Sequence, residues 1–130
     1  MKTIQVRTNS QIDMVEITRE VETYLKEAGQ VEGGLLVYVP HTTAGVTINE
    51  NADPSVKHDL QEDFKRLVPR RQSYYQHREG NSASHMLSSM IHSSVMIPFE
   101  AGSLALGTWQ GIYLCDFDGP RNRKVHLQII

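Results

Sequence analysis

The chain has 130 residues, 39% of them hydrophobic and 22% charged, with a formal net charge of -2. That length and composition describe one globular domain spanning residues 1–130. They exclude the basic footprint of a duplex nucleic-acid or anionic-membrane binder, and no stretch approaches the roughly 20 apolar residues of a membrane span.

The single cysteine, Cys115, rules out a disulfide within the chain and suits a reducing compartment. The opening residues, MKTIQVRTNSQIDMVEI, hold no long apolar run, so no secretory signal and a cytoplasmic location are expected.

In chain order, TIQVRT alternates apolar and polar residues and is predicted as a strand. EITREVETYLKEAG is predicted as a helix. Ile17, Val21, Leu25 and Ala28 share one face, Thr18 is placed to cap the start and Gly29 to end it. GGLLVYVP reads as a short buried strand and GVTIN as another.

DPSVKHDLQEDFKRLVP carries strong helix signals. Asp53 suits the N-cap and Pro54 the first turn; Val56, Leu60, Phe64 and Leu67 form the apolar face, and Pro69 stops the helix. The stretch from 69 to 81 is polar and irregular, and SASHMLSSMIHS predicts a short helix with Met86, Met90 and Ile91 among its apolar residues. From Val95 on, SVMIPFEAG, SLALGTWQ, GIYLCDFDGP and KVHLQII all read as β, with turns at Gly102 and at DGP. The sum is an α+β fold: an antiparallel-rich β-sandwich with two to three helices.

Candidate chemistry starts with the six histidines. His41, His77 and His85 lie where a strand or loop meets the next element. Three neutral imidazoles are a Zn²⁺-like ligand set that leaves a fourth position open for water or substrate. Their spacing matches no compact metal motif, so the alternative is three surface or hydrogen-bonded core histidines. His58 and His126 read as ordinary surface positions.

The segment Pro40–Leu60 also crowds polar groups beyond what folding needs. Asp53 is explained as a cap. Glu50 and Asn51 follow a strand, a common position for site residues, and a carboxylate there can act as a base or orient a ligand histidine. Asp59 is either solvated or part of such a site. Gln110 either faces solvent or offers its amide to a ligand. Arg121, in DGPRNRK, has the planar fork that grips phosphate.

Three stretches, HTTAGVTINENADPSVKHDL, EGNSASHMLSS and LGTWQGIYLCDFDGPRNRKV, occur in this order and together resemble the YjbQ family, sometimes labelled secondary thiamine-phosphate synthase. The resemblance covers essentially the whole chain. It implies a compact α+β subunit with a β-sandwich core, a homotrimer, a cavity holding the motif residues, a metal at the histidines in some members, and a weak thiamine-phosphate synthase activity.

Carried onto this chain, its first motif falls on His41, Thr42 and Thr43, its acid-amide segment on Asn49, Glu50, Asn51, Asp53 and Asp59, and its third on Gly80, Asn81 and His85 with His77 upstream. The last falls on Trp109, Gln110 and 118–121. Where many relatives carry a lysine after the histidine, this chain has Leu87; an anion there would rest on backbone N–H groups at the helix start.

The expectation that follows is a metal-dependent enzyme acting on a phosphorylated small molecule. His41, His77 and His85 would hold a divalent metal, Zn-like, with Mg²⁺ a possibility despite its preference for oxygen ligands. Glu50 and Asp59 would be catalytic, and Thr42, Thr43, Asn49, Asn51, Asn81, Gln110 and Arg121 would bind substrate. The alternatives are a metal-assisted hydrolase and a non-catalytic trimer that binds a small ligand or metal.

Overall fold

A computed structural model describes residues 1–130. Eleven elements follow in chain order: β1 (Lys2–Arg7), β2 (Asp13–Glu16), α1 (Thr18–Ala28), β3 (Gly33–Tyr38), β4 (Ala44–Glu50), α2 (Pro54–Leu67), α3 (Ser82–Ile91), β5 (Ser94–Glu100), β6 (Ser103–Leu104), β7 (Gln110–Asp116) and β8 (Asn122–Ile129).

The strands make two sheets, one in the order β1-β8-β3-β5-β6 and the other β2-β7-β4. Every pairing is antiparallel. The fold is therefore α+β with three helices, as the sequence predicts.

Alternation builds the main core. Val6, Leu35, Val37, Ile97, Phe99, Val125 and Leu127 point inward from the five-stranded sheet, and Ala44, Val46, Ile112 and Leu114 meet them from the three-stranded one. The Ile17–Val21–Leu25 stripe of α1 packs into the same core. Each such side chain removed from water contributes about 1.5–3 kcal/mol.

A smaller core lies on the other face of the three-stranded sheet, where Phe64 of α2 and Leu87 of α3 join Met14, Tyr113, Cys115 and Phe117. Phe64 and Phe117 meet edge to face at 5.2 Å. The wall of the site described below is thus one sheet sandwiched between two cores.

Several expectations shift. The strand β2 is not among the predicted elements, because only Met14 of its four residues is fully buried. The cap of α1 is Ile17; Thr18 is already helical. Its hydroxyl donates to Glu16 Oε2 at 2.8 Å and accepts from the Ile112 N–H at 2.9 Å, so it ties the helix to β7.

SLALGTWQ yields only the two-residue β6, followed by a turn whose Gly107 N–H donates to Gln110 Oε1. Helix α3 packs through Ala83, Ser84, Leu87 and Ser88, while Met86 and Met90 are exposed. No helix is long and apolar enough to cross a membrane.

Gly29 does end α1, in the left-handed region with φ 67°. Asp53 does cap α2, accepting from the Ser55 N–H at 2.9 Å and the Ser55 hydroxyl at 2.7 Å. Those two bonds hold its carboxyl below the usual aspartate range.

Asp53→Ala is therefore expected to lower stability, seen as a lower urea midpoint. The sign with pH follows from the depressed value: the cap's contribution is full above the ordinary aspartate range and is lost as pH falls through the folded value. An alanine variant with an unchanged midpoint at pH 7 would remove the cap's role.

Candidate active site

Three backbone ends meet at one corner of the three-stranded sheet. Strand β4 begins beside the end of β7, with Ala44 opposite Asp116, and the Phe117 N–H donates to the Thr43 carbonyl at 3.1 Å. The tight turn 117–121 then leads into β8. Helix α3 starts against both: the Ser84 hydroxyl donates to the Phe117 carbonyl at 2.6 Å and the Ser88 hydroxyl to the Ala44 carbonyl at 2.7 Å. Small serines let the helix approach closely and satisfy carbonyls that a sheet edge leaves open.

The result is a polar cleft of about 330 Å³. His41, Thr42, Thr43, Asn81, His85 and Arg121 all line it, so the structure brings together six of the residues expected from sequence.

Beneath them lies a buried ion pair. Arg123 is 2% exposed and Asp116 fully buried. One guanidinium nitrogen, Nη2, donates to Asp116 Oδ1 at 2.7 Å and to Thr43 Oγ1 at 2.8 Å. Asp116 is satisfied further by the Thr8 hydroxyl at 2.6 Å and the Asp118 N–H at 2.9 Å. The Nε of Arg123 has no partner.

Asn81 is 4% exposed and shows the mirror situation. Its Nδ2 donates to Asp118 Oδ2 at 2.8 Å, and its Oδ1 has no partner. The amide orientation is set by chemistry, since an ionised carboxylate accepts only. Burial on its own would raise the Asp118 carboxyl, but Asn81, Arg121 and Arg70 outweigh it and hold it below the usual range. A buried donor and a buried acceptor without partners are rare in native proteins, and here both belong to residues that line one cleft.

His41 is held neutral. Burial and the nearby Arg123 guanidinium push its pKa down, against an opposing pull from Asp116. Its Nε2 accepts from the Lys124 N–H at 2.9 Å, so the proton of the neutral ring sits on Nδ1.

Acid is expected to break this contact: below the free-imidazole value the unfolded chain takes the proton first, so stability falls with pH in that window. An NMR titration of the ring should show a midpoint below that of free imidazole. A raised midpoint would overturn the assignment.

Other expected residues lie elsewhere. Asn49, Glu50 and Gln110 occupy the opposite end of the β4–β7 pair, with Glu50 opposite Gln110. Seven residues of strand separate the two ends by about 20 Å. Asn51 donates to Glu16 Oε2 at 2.8 Å and packs against Gly111, while Asn49 accepts from the Glu50 N–H. These are local ties.

Asp59 stands on the outer face of α2 with its side chain 75% exposed, bonded to His58 Nδ1 at 3.0 Å. Asp59→Asn should leave ligand binding in the cleft unchanged, checked by titration calorimetry. A lost affinity would place Asp59 back in the site.

The expected three-histidine metal centre does not assemble within the chain. No three His, Cys, Asp or Glu side chains converge on a point. His41 spends Nε2 on the backbone. His77 packs edge-on against His85, ring centroids 5.4 Å apart, but lines a neighbouring groove with Arg71 and Tyr75.

Sequence reasoning also missed Asp116 and Arg123. Their signal was available in the phase of alternation. Asp116 continues the inward series Ile112–Leu114, and Arg123 begins the inward series Val125–Leu127. A charge at an inward position asks for a buried partner.

Fold and cleft together define a class: small α+β proteins of two packed antiparallel sheets with a polar cleft where β4, α3 and the β7–β8 turn meet. The family model described as UPF0047 protein YjbQ-like matches residues 2–130, and the chain belongs to that family.

The UPF0047 protein YugU of Bacillus subtilis (strain 168) is 49% identical over 100% of this chain and 98% of its own length. The UPF0047 protein YjbQ of Escherichia coli O157:H7 is 41% identical over 75% of this chain and 73% of its own. Among solved structures, a YjbQ/UPF0047-family protein from Clostridium acetobutylicum superposes with a TM-score of 0.97 at 44% identity, covering 100% of both chains. A conserved hypothetical protein from Thermus thermophilus gives 0.92 at 38%, again over 100% of both.

Proposed function

We propose that this protein is an enzyme acting on a phosphorylated small molecule held in the cleft between β4, α3 and the β7–β8 turn. The observation that carries the reading is Arg123, which lines the cleft and whose buried guanidinium Nε has no acceptor of its own. A phosphoryl oxygen is the acceptor such a donor suits.

The start of α3 adds backbone N–H groups, whose orphan donors and dipole favour an anion. Arg121 stands at the rim, its Nε and Nη2 turned back to Asp118. His85, lining the same cleft, is the side chain placed to move a proton. Neutral His41 presents a donor without adding charge.

A second reading, metal-assisted hydrolysis with a Zn-like ion, is favoured by the contact between the His77 and His85 rings. Metal analysis of protein purified without a histidine tag separates the two. A thiamine-phosphate synthase side activity, a cytoplasmic location and a homotrimer rest on the sequence resemblance and composition. Exposed Tyr38, Met96, Trp109 and Ile130 support association between subunits, and the resemblance supplies the number three. Sedimentation across a wide concentration range tests it.

The test of function is a turnover screen of phosphorylated metabolites with the untagged protein, beside inorganic phosphate in a thermal-shift assay. Turnover by wild type that is lost in His85→Ala, with phosphate stabilisation retained, is the expected result. If no phosphorylated compound binds at millimolar concentration, the proposal fails. Binding without any turnover would leave the non-catalytic ligand-binding alternative in its place.

A further inference from the structure

We infer that the preferred ligand is a small hydroxylated phosphomonoester of the polyol or sugar phosphate class, with heteroaromatic phosphates, the substrates of a thiamine-phosphate synthase side activity, bound more weakly. The inference rests on the phosphoryl-binding reading above and narrows it.

Its first support is Asn81. The ionised Asp118 carboxylate fixes the Asn81 Nδ2, so the Oδ1 must face away from it. This oxygen is an acceptor, buried and unpartnered. A fully ionised phosphoryl group has no proton to give it. A hydroxyl on the carbon chain beside the phosphate does.

The second support is the character of the wall. Apart from Pro40, no apolar side chain lines the cleft, and none of its lining residues is Phe, Tyr or Trp. Ligand pockets in general are built mostly from apolar and aromatic surface with a few polar groups, and it is such surface that a planar ring stacks on. This one has the reverse composition.

Glu79 and Asp118 add carboxylate acceptors, and Thr42 a hydroxyl that serves as donor or acceptor. The set is thus divided. Arg123 Nε and the start of α3 offer donors for the phosphoryl oxygens, while Asn81 Oδ1 and Glu79 offer acceptors for hydroxyls.

The test compares three probes with the untagged wild-type protein by titration calorimetry: glycerol 3-phosphate, n-propyl phosphate and phenyl phosphate. Glycerol 3-phosphate is expected to bind roughly tenfold tighter than n-propyl phosphate, the value of one to two net hydrogen bonds. Phenyl phosphate should gain nothing over n-propyl phosphate.

In Asn81→Ala the preference for glycerol 3-phosphate should fall while n-propyl phosphate still binds. Should that variant not fold, the wild-type comparison decides alone. Equal affinities for the glycerol and propyl esters, or a tighter phenyl ester, overturn the inference while the phosphoryl reading stands. No binding by any of the three overturns the phosphoryl reading itself, and this inference with it.

Discussion

Arg123→Met is expected to lower the free energy of unfolding by about 3–5 kcal/mol, because it leaves Asp116 as an uncompensated buried carboxylate. The geometry makes this pair unusually sensitive to the loss of one partner. Asp116 is fully buried and its Oδ1 lies 2.7 Å from Arg123 Nη2. The Thr8 hydroxyl and the Asp118 N–H satisfy its hydrogen bonds but not its charge.

Total stabilities of such domains run to about 5–15 kcal/mol, so the urea midpoint should move far down. Asp116→Asn combined with Arg123→Met should cost less than the two single changes summed, since neither charge is then left alone.

Arg123→Lys separates stability from function. A lysine keeps the charge near Asp116 but has a single nitrogen. Its three N–H donors can reach the carboxylate and Thr43, but none lies where Arg123 Nε would meet a ligand. The expected phenotype is a smaller loss of stability than the methionine variant and a lost thermal shift with phosphate. If Arg123→Met unfolds within about 0.5 kcal/mol of wild type, as an ordinary surface change would, the ion pair is not what holds this corner.

The fold class was legible because the signals were local. Asp53-Pro54 announced α2, Gly29 ended α1, alternation marked β1 and β8, and a short apolar run marked β3. What failed was also local. Four residues of β2 are too few to show a period, and in α3 the apolar Met86 and Met90 are exposed while Ala83, Ser84, Leu87 and Ser88 pack.

The site divides in the same way. The histidines, Thr42, Thr43, Asn81 and Arg121 stood out by residue type. Glu50, Asn51 and Asp59 are near His41 in sequence but not within the folded chain: a strand and a helix turn carry Pro40–Leu60 away from the cleft within a few residues. The question raised by that polar segment has two answers. Its start builds the cleft, and its end builds the Glu16–Asn51 tie and the α2 cap.

Gly45→Ala is expected to damage both folding and the cleft, by overpacking that costs about 1–3 kcal/mol or more. Gly45 sits at the start of β4 against the end of α3. A Cβ there would lie 2.5 Å from the His92 carbonyl oxygen and 3.3 Å from Ile91 Cγ2. The carbonyl cannot move freely, because it accepts from the Val46 N–H at 3.1 Å. Relief must come from shifting α3 away from β4.

That shift acts on function through geometry. The Ser88 bond to the Ala44 carbonyl and the Ser84 bond to the Phe117 carbonyl hold the helix at its present height. Displacing the helix moves Asn81 and His85 together with respect to His41 and Arg123. The variant should therefore lose ligand affinity even at temperatures where it remains folded, whereas Asp53→Ala, which weakens only α2, should keep it. Circular dichroism melts beside calorimetric titration with a phosphate monoester separate the two effects. An alanine variant that melts earlier but binds normally would show that the cleft tolerates movement of α3.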